Sequence, residues 1–251
     1  MLTTVEERRA SFRALHETGF FVLPNAWDAG GARRLEALGF KAVATSGAGA
    51  AWSAGRADGG LGRDRILACI SDIVAATALP VNADFENGFA DSPADLAHNV
   101  AAAVQTGIAS LSIEDWSGTD LYDPALGAER IAAAREAIDA VDPAVMLVGR
   151  AEFYRAPALP AADWVARAVR YADSGADCLF VPFLFDAGAV RELVAAVAPK
   201  PVSVLVDRFD QIPGFAALGV RRCSVGAALA VAAWNAFDDA AAQLRTLDDA
   251  A

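Results

Sequence analysis

The stretch Val81-Asn82-Ala83-Asp84-Phe85-Glu86-Asn87-Gly88 carries two acids on alternate positions at the end of an apolar run and then meets a glycine. Side chains two residues apart in a strand share a face, so Asp84 and Glu86 aim their carboxylates at one point. Two such acids raise each other's pKa unless a cation sits between them, and a hard divalent metal is the economical partner. Taken alone, an acid-x-acid pair is more often two solvated loop residues. Here the pattern repeats: Glu114 ends the next apolar run and Arg150 follows the one after that. Three acids and an arginine at successive strand ends would make a magnesium site beside an anion clamp. An all-carboxylate donor set, without His or Cys, favours Mg²⁺ or Mn²⁺ over zinc. Because Mg²⁺ keeps several waters, Asp84 as direct ligand with Glu86 and Glu114 acting through water would suffice.

The elements that must position these groups recur in one order. A charged amphipathic helix at residues 4–16 leads to a strand at 20–24, and a helix at 29–38 stops at Gly39. The strand at 41–46 opens into a Gly/Ala-rich stretch, 47–62, which reads as a long functional loop containing Trp52, Arg56 and Asp58. Helices at 63–76, 93–106, 128–141, 161–174 and 187–197 alternate with strands at 81–85, 109–113, 145–148, 178–181 and 201–206; a short helix near 215–218, a strand at 221–225 and a helix at 227–244 follow. Alternation of this kind implies parallel strands, each crossover helix covering the sheet. The strands are short and apolar throughout, as strands buried on both faces are. The expected fold is therefore α/β, a single (β/α)8 TIM barrel over residues 1–251 with an N-terminal helix. In such barrels catalytic residues sit at the carboxyl ends of the strands. By position Trp27, Asp28, Ser46 and Gly47 join the acids and Arg150 there, and Trp27, Trp52 and Trp116 would wall the rim.

Composition narrows the function. Of 251 residues, 55% are hydrophobic and 21% charged, enough to bury a large core. A formal net charge of −11 argues against nucleic acid or an anionic membrane as partner, since both need a basic footprint. A small anionic substrate remains compatible if the site supplies its own cations. No apolar run approaches the ~18 residues of a membrane span, and the first 14 residues hold Glu6, Glu7, Arg8, Arg9 and Arg13, unlike a signal peptide. A cytoplasmic protein is expected. Cys69, Cys178 and Cys223 are scattered, as reduced core thiols are, and His16 and His98 fall in helical patterns as ordinary surface or packing residues. The stretch 55–62 has no G-x-G-x-x-G or P-loop spacing, so a dinucleotide or nucleotide cradle is lacking.

In this order and spacing, Pro24-Asn25-Ala26-Trp27-Asp28-Ala29-Gly30, Thr45-Ser46-Gly47-Ala48-Gly49, Ala57-Asp58-Gly59, Ala83-Asp84-Phe85-Glu86-Asn87-Gly88, Ile113-Glu114-Asp115, Glu129-Arg130-Ile131, Gly149-Arg150 and Gly219-Val220-Arg221-Arg222 resemble the isocitrate lyase and phosphoenolpyruvate mutase superfamily. The resemblance implies a (β/α)8 barrel that binds Mg²⁺ and a 2-oxo acid or its enolate. It makes Asp84 the direct ligand, with Asp58, Glu86 and Glu114 in the water-bridged shell. It also implies that Ser46 and Gly47 hold the substrate carboxylate through backbone N–H groups and that Arg150 binds the substrate's oxygens. Members of the superfamily form homo-oligomers and commonly exchange the last barrel helix, so a dimer or tetramer is implied as well.

One departure bears on the reaction. Lyases of the superfamily carry a Lys-Lys-Cys-Gly-His loop after strand four, whose cysteine protonates the enolate; here the stretch reads Asp115-Trp116-Ser117-Gly118-Thr119-Asp120-Leu121-Tyr122-Asp123. It holds no cysteine, lysine or histidine, and it also lacks the lysine- and asparagine-bearing loop of the mutases and phosphonopyruvate hydrolases. Tyr122 is the candidate replacement acid, against the plainer reading of a packing anchor. Glu152 reads as support for Arg150. The expected activity is Mg²⁺-dependent cleavage of a C–C bond in a small 2-oxo or 2-hydroxy dicarboxylic acid through a metal-bound enolate. The alternatives are P–C mutase or hydrolase chemistry and a non-catalytic 2-oxo acid binder.

Overall fold

The computed structural model describes residues 3–155 and 160–248. Its strands are β1 (Phe21–Leu23), β2 (Asn25–Ala26), β3 (Val43–Thr45), β4 (Val81–Asp84), β5 (Ser110–Glu114), β6 (Met146–Arg150), β7 (Cys178–Pro182), β8 (Val202–Leu205) and β9 (Arg222–Ser224). The helices are α1 (Val5–Glu17), α2 (Ala29–Ala37), α3 (Gly47–Ser53), α4 (Arg63–Ala76), α5 (Pro93–Gln105), α6 (Pro124–Val141), α7 (Ala161–Asp173), α8 (Ala187–Val197), α9 (Ile212–Ala217) and α10 (Ala228–Asp248).

All strand pairs are parallel, in the order β1-β9-β8-β7-β6-β5-β4-β3-β2. The two ends of that order, β1 and β2, are halves of one strand on either side of Pro24, so the sheet closes into the expected eight-stranded barrel. The break falls at Pro24 because its nitrogen has no hydrogen for a ladder bond. Its carbonyl still pairs, accepting from Ala44 N–H at 2.8 Å.

Alternation sorts the strand side chains into two cores. Val81, Ala83, Leu111, Ile113, Leu147, Leu179, Val181, Val202 and Val204 face outward and pack with the helices. Phe21, Leu23, Ala44, Met146, Val148, Cys178 and Phe180 face the barrel axis, where Phe12 of α1 joins them. Each fully buried Leu, Ile, Val or Phe stabilises the fold by about 1.5–3 kcal/mol. Polar side chains share the axis: Asn82, Ser110, Ser112, Ser203, Arg222 and Ser224 are all buried.

Helix α1 is fastened across the bottom of the barrel. A reciprocal cap starts it, Thr4 Oγ1 accepting from Glu7 N–H and the Glu7 carboxylate from Thr4 N–H. The Arg9 guanidinium donates to Ile108 O at 2.9 Å and Val104 O at 3.2 Å and pairs with Asp142. His16 and His98 lie in α1 and α5.

Two loops are shorter than the sequence suggested. Residues 47–53 are helical rather than loop: Ser46 Oγ caps α3 by accepting from Gly49 N–H at 3.2 Å, and alanines supply helix propensity despite two glycines. The loop after β5 ends at Pro124, not Gly127, because Asp123 caps α6 and Pro124 fits its first turn.

Candidate active site

The carboxyl ends of the strands surround a cavity of about 620 Å³. Asp84 closes β4, Glu114 closes β5 and Arg150 closes β6, with Glu114 and Arg150 in direct register. Arg150 Nη1 lies 3.0 Å from Asp84 Oδ1 and 3.3 Å from Glu114 Oε2, and its Nε pairs with Glu152. Burial by itself would lower the pKa of this arginine; Glu152, Glu114 and Asp84 hold it well above its ordinary value. It is a permanent cation.

Glu86 reaches the same cavity from just beyond β4 with φ of +49°, a left-handed backbone that costs a non-glycine residue free energy. The surrounding loop holds it there. Buried Arg130 of α6 donates to the carbonyls of Asn87, Ala90 and Asp91, and Glu114 N–H donates to Glu86 O at 2.9 Å. Burial first, then the charges of Asp84 and Asp58, push the Glu86 carboxyl up to about 7. Burial also raises Glu114, to about 8, against the pull of Arg150. The acids therefore outnumber the cations near them.

These residues fit a hard divalent cation. The donors are all oxygen, two of the acids cannot both ionise freely without added positive charge, and Gly47 has no side chain to intrude. A Cβ there would sit 3.1 Å from Glu86 Oε1 and 3.5 Å from Asp84 Oδ2. Among the described residues no three acids stand together at ligating distance.

The remaining sequence candidates divide. Ser46, Gly47 and exposed Asp58 line the cavity, as does Trp116. The Ser46 hydroxyl is spent on capping α3, and Gly47 N–H donates to Asp84 Oδ2 at 3.2 Å. Trp27 does not line it. It borders a separate groove with Asp28, Arg33 and Cys69, and its Cβ packs against Gly49, which has no room for a side chain. Tyr122 is likewise turned away from the cavity. Its hydroxyl donates to Asp91 Oδ1 at 2.5 Å and accepts from Asn87 Nδ2 at 3.2 Å, while Arg130 stacks 4.2 Å over its ring. The packing anchor is the reading the structure supports, because the bonds that satisfy a buried phenol also fix its direction.

Three cavity residues were given no role in the sequence reading, although Arg222 was part of the Gly219–Arg222 resemblance. Tyr154 and Arg155 lie on a 3-10 turn, Phe153–Arg155, just past β6, and Arg222 lies within β9. Arg155 sits 5.2 Å over the Trp116 ring and 3.4 Å from Glu152 Oε2. Burial, then the Glu152 charge, pushes the Tyr154 phenol up to about 12. Glu152 is fully buried and is held by Asp115, whose Oδ1 accepts from Glu152 N–H at 2.8 Å and whose Oδ2 accepts from the Tyr171 hydroxyl at 2.7 Å. The available signal was Phe-Tyr-Arg following a strand-end Arg-x-Glu.

The phosphoenolpyruvate phosphomutase family model matches residues 12–245, nearly the whole chain. The chain belongs to this family. An uncharacterised protein of Mycobacterium tuberculosis is 36% identical over 219 residues, covering 86% of this chain and 81% of that one. A 2-methylisocitrate lyase of Halalkalibacterium halodurans is 28% identical over 221 residues, covering 84% of this chain and 71% of that enzyme. A crystal structure from Burkholderia cenocepacia J2315, assigned as a lyase or mutase, superposes with a TM-score of 0.92 at 42% identity, covering 96% of this chain and 89% of that one. This phosphoenolpyruvate phosphomutase family member is thus an enzyme whose relatives are lyases and mutases.

Proposed function

We propose that this family member is a Mg²⁺-dependent lyase that breaks a C–C bond in a small 2-oxo or 2-hydroxy dicarboxylic acid by way of an enolate. The observation that carries the reading is the convergence of Asp84, Glu86 and Glu114 around Arg150 in one cavity. Asp84, with Glu86 and Glu114 through water, would hold the cation, which when bound supplies Lewis-acid stabilisation of negative charge on oxygen. Arg150 presents a rigid, charged donor fork where that charge develops, and Glu152 fixes the fork's orientation. The amides of Ser46 and Gly47 would orient a carboxylate once Gly47 N–H is released from Asp84 Oδ2. Trp116 and Phe183 wall the cavity and exclude water.

The proton donor in this reading is Tyr154. It lines the cavity, its phenol stays protonated throughout the neutral range, and Arg155 and Arg150 offset part of the burial and Glu152 charge that oppose its ionisation.

The substrate partner is a small dianion, and the second partner is another copy of the chain. On α10 only Ala230 is buried, while Val231, Trp234, Phe237, Leu244 and Leu247 are exposed. An apolar face of that length on a 21-residue helix supports a homo-oligomer. No helix of the described residues is long and apolar enough to cross a membrane, which supports a cytoplasmic enzyme.

Two measurements test the function. Turnover of oxaloacetate, alkylmalates and phosphonopyruvate with Mg²⁺ should show C–C cleavage; turnover of phosphonopyruvate alone would give mutase or hydrolase chemistry instead, and none above the uncatalysed rate would leave a binder. Oxalate mimics the planar enolate of pyruvate, so Mg²⁺ plus oxalate at about 100 times Kd should add ~2.7 kcal/mol, a rise in Tm of roughly 5–10 °C. An equal rise in Asp84→Ala would remove Asp84 from the metal site.

A further inference from the structure

Arg222 is the most deeply buried cation of the cavity, 2% exposed and projecting from β9 into the barrel axis. Among the described residues it makes no ion pair. Its nearest partners are long contacts: Nη1 lies 3.3 Å from His16 Nε2 and 3.4 Å from Asn82 Oδ1, and Nε has no hydrogen-bond partner. His16 cannot supply negative charge. Its Nδ1 faces Phe12 O at 2.8 Å, so Nδ1 carries the proton and Nε2 accepts from the arginine.

The contrast with Arg130 is informative. Arg130 is as buried and equally without a carboxylate, yet three carbonyl oxygens and the Tyr122 ring meet its charge. Arg222 has one imidazole, one amide and, more distant at 6.0 Å, the Phe12 ring, with no carbonyl oxygen on its guanidinium among the described residues. Removing a guanidinium from water without a counter-charge is costly, and arginine does not escape the cost by losing its proton. The surroundings are neutral rather than acidic. Register places Ser203 beside Arg222 and Ser110 beside Asn82, and both hydroxyls are fully buried without a partner. Ser112 and Ser224 continue the polar lining upward toward Asp84 and Glu114.

We propose that the floor of the cavity around Arg222 is a small-anion pocket, distinct from the strand-end site above it, that takes a carboxylate or halide-sized monoanion on the guanidinium with serine hydroxyls completing its shell. The anion has two possible sources with the same chemistry: a free inorganic or formate ion, or the second carboxylate of a dicarboxylic acid whose other end is held above. Asn82 and Asp84 are two residues apart on β4, so the floor lies only about 7 Å beneath the strand-end acids. That is within the span of a four- or five-carbon diacid.

The test is thermal melting of the full chain at constant ionic strength, with gluconate as the bulky reference anion. Chloride and formate are titrated without Mg²⁺, and malonate and succinate with it, on wild type, Arg222→Met and Arg222→Lys. The expected result is a saturable rise for wild type of about 3–6 °C at roughly ten times Kd. Arg222→Met should lose that rise and, in gluconate, melt at or above wild type because an unpaired charge is gone. A response to chloride and formate assigns the pocket to free anions. A response confined to Mg²⁺ with a diacid, and lost in Arg222→Met, assigns it to the substrate's second carboxylate. If Arg222→Met does not fold, Arg222→Lys decides: a weakened response supports the pocket and an unchanged one overturns it. No anion-specific rise in wild type, or an equal rise in Arg222→Met, also overturns it. The chloride and formate arm needs no metal, so failure here is separable from failure of the proposed lyase function.

Discussion

Arg150 Nη1 and Asp84 Oδ1 stand 3.0 Å apart, so the anion clamp is engaged with the carboxylate proposed to take the metal. A cation and the arginine therefore compete for Asp84 until a substrate anion draws the guanidinium away. Replacing Arg150 by Gln should tighten Mg²⁺ binding in the absence of oxalate and abolish most of the added stability from oxalate. Removing the charge also leaves Glu114 without its cation and Glu152 with Arg155 alone, at a cost of about 3–5 kcal/mol. Calorimetric titration of Mg²⁺ with and without oxalate checks both signs, and weaker Mg²⁺ binding in the variant would contradict the competition.

The two tyrosines near the site should separate cleanly. Tyr154→Phe should lower kcat by ~10²–10⁴ with little change in KM, as loss of a general acid does. Tyr122→Phe should leave kcat near wild type and cost about 1–3 kcal/mol of stability, because Asp91 and Asn87 lose a buried partner. Steady-state kinetics and denaturant melts on both variants read this. The reverse pattern would return the acid's role to Tyr122.

Metal affinity should rise with pH. Glu86 and Glu114 are held near 7 and 8, so below those values Mg²⁺ must displace protons. Titrations in buffers of different ionisation enthalpy should show proton release that fades above about pH 8. Without metal the sign for folding is opposite. The folded state binds more protons than the unfolded chain above pH ~4.5, so stability falls as pH rises toward 8, and saturating Mg²⁺ should flatten that fall.

His16 sets the acid limit. Burial, reinforced by the Arg222 charge, lowers its pKa from 6.5 to about 3. Between those values the unfolded chain binds the extra proton, so stability is complete above pH ~6.5 and declines toward pH 3, by at most about 5 kcal/mol. His16→Gln should flatten this part of the stability profile measured by urea melts. An unchanged slope would exclude His16 as its source.

The barrel and its upper rim were legible in the sequence because both rest on local rules. Period-2 apolar runs ending in Asp84, Glu114 and Arg150 announce strands with chemistry at their exits, and Pro93, Asp123 and Gly39 punctuate the helices wherever they lie. What lay beyond was any direction that depends on a partner distant in the chain. Tyr122 read as a possible acid until Asp91 and Asn87 fixed its hydroxyl away from the cavity. Trp27 read as a wall until packing on Gly49 turned it outward. Tyr154 carried no motif and gained meaning only beside Glu152 and Arg155. Arg222 shows the limit most clearly: inside an apolar strand its alternation says only that it points inward. Closure of β9 against β1 and β8 leaves it facing His16, Asn82 and serines instead of a carboxylate. Charge compensation is decided by what surrounds a group in three dimensions, and the order of residues along one strand does not contain it.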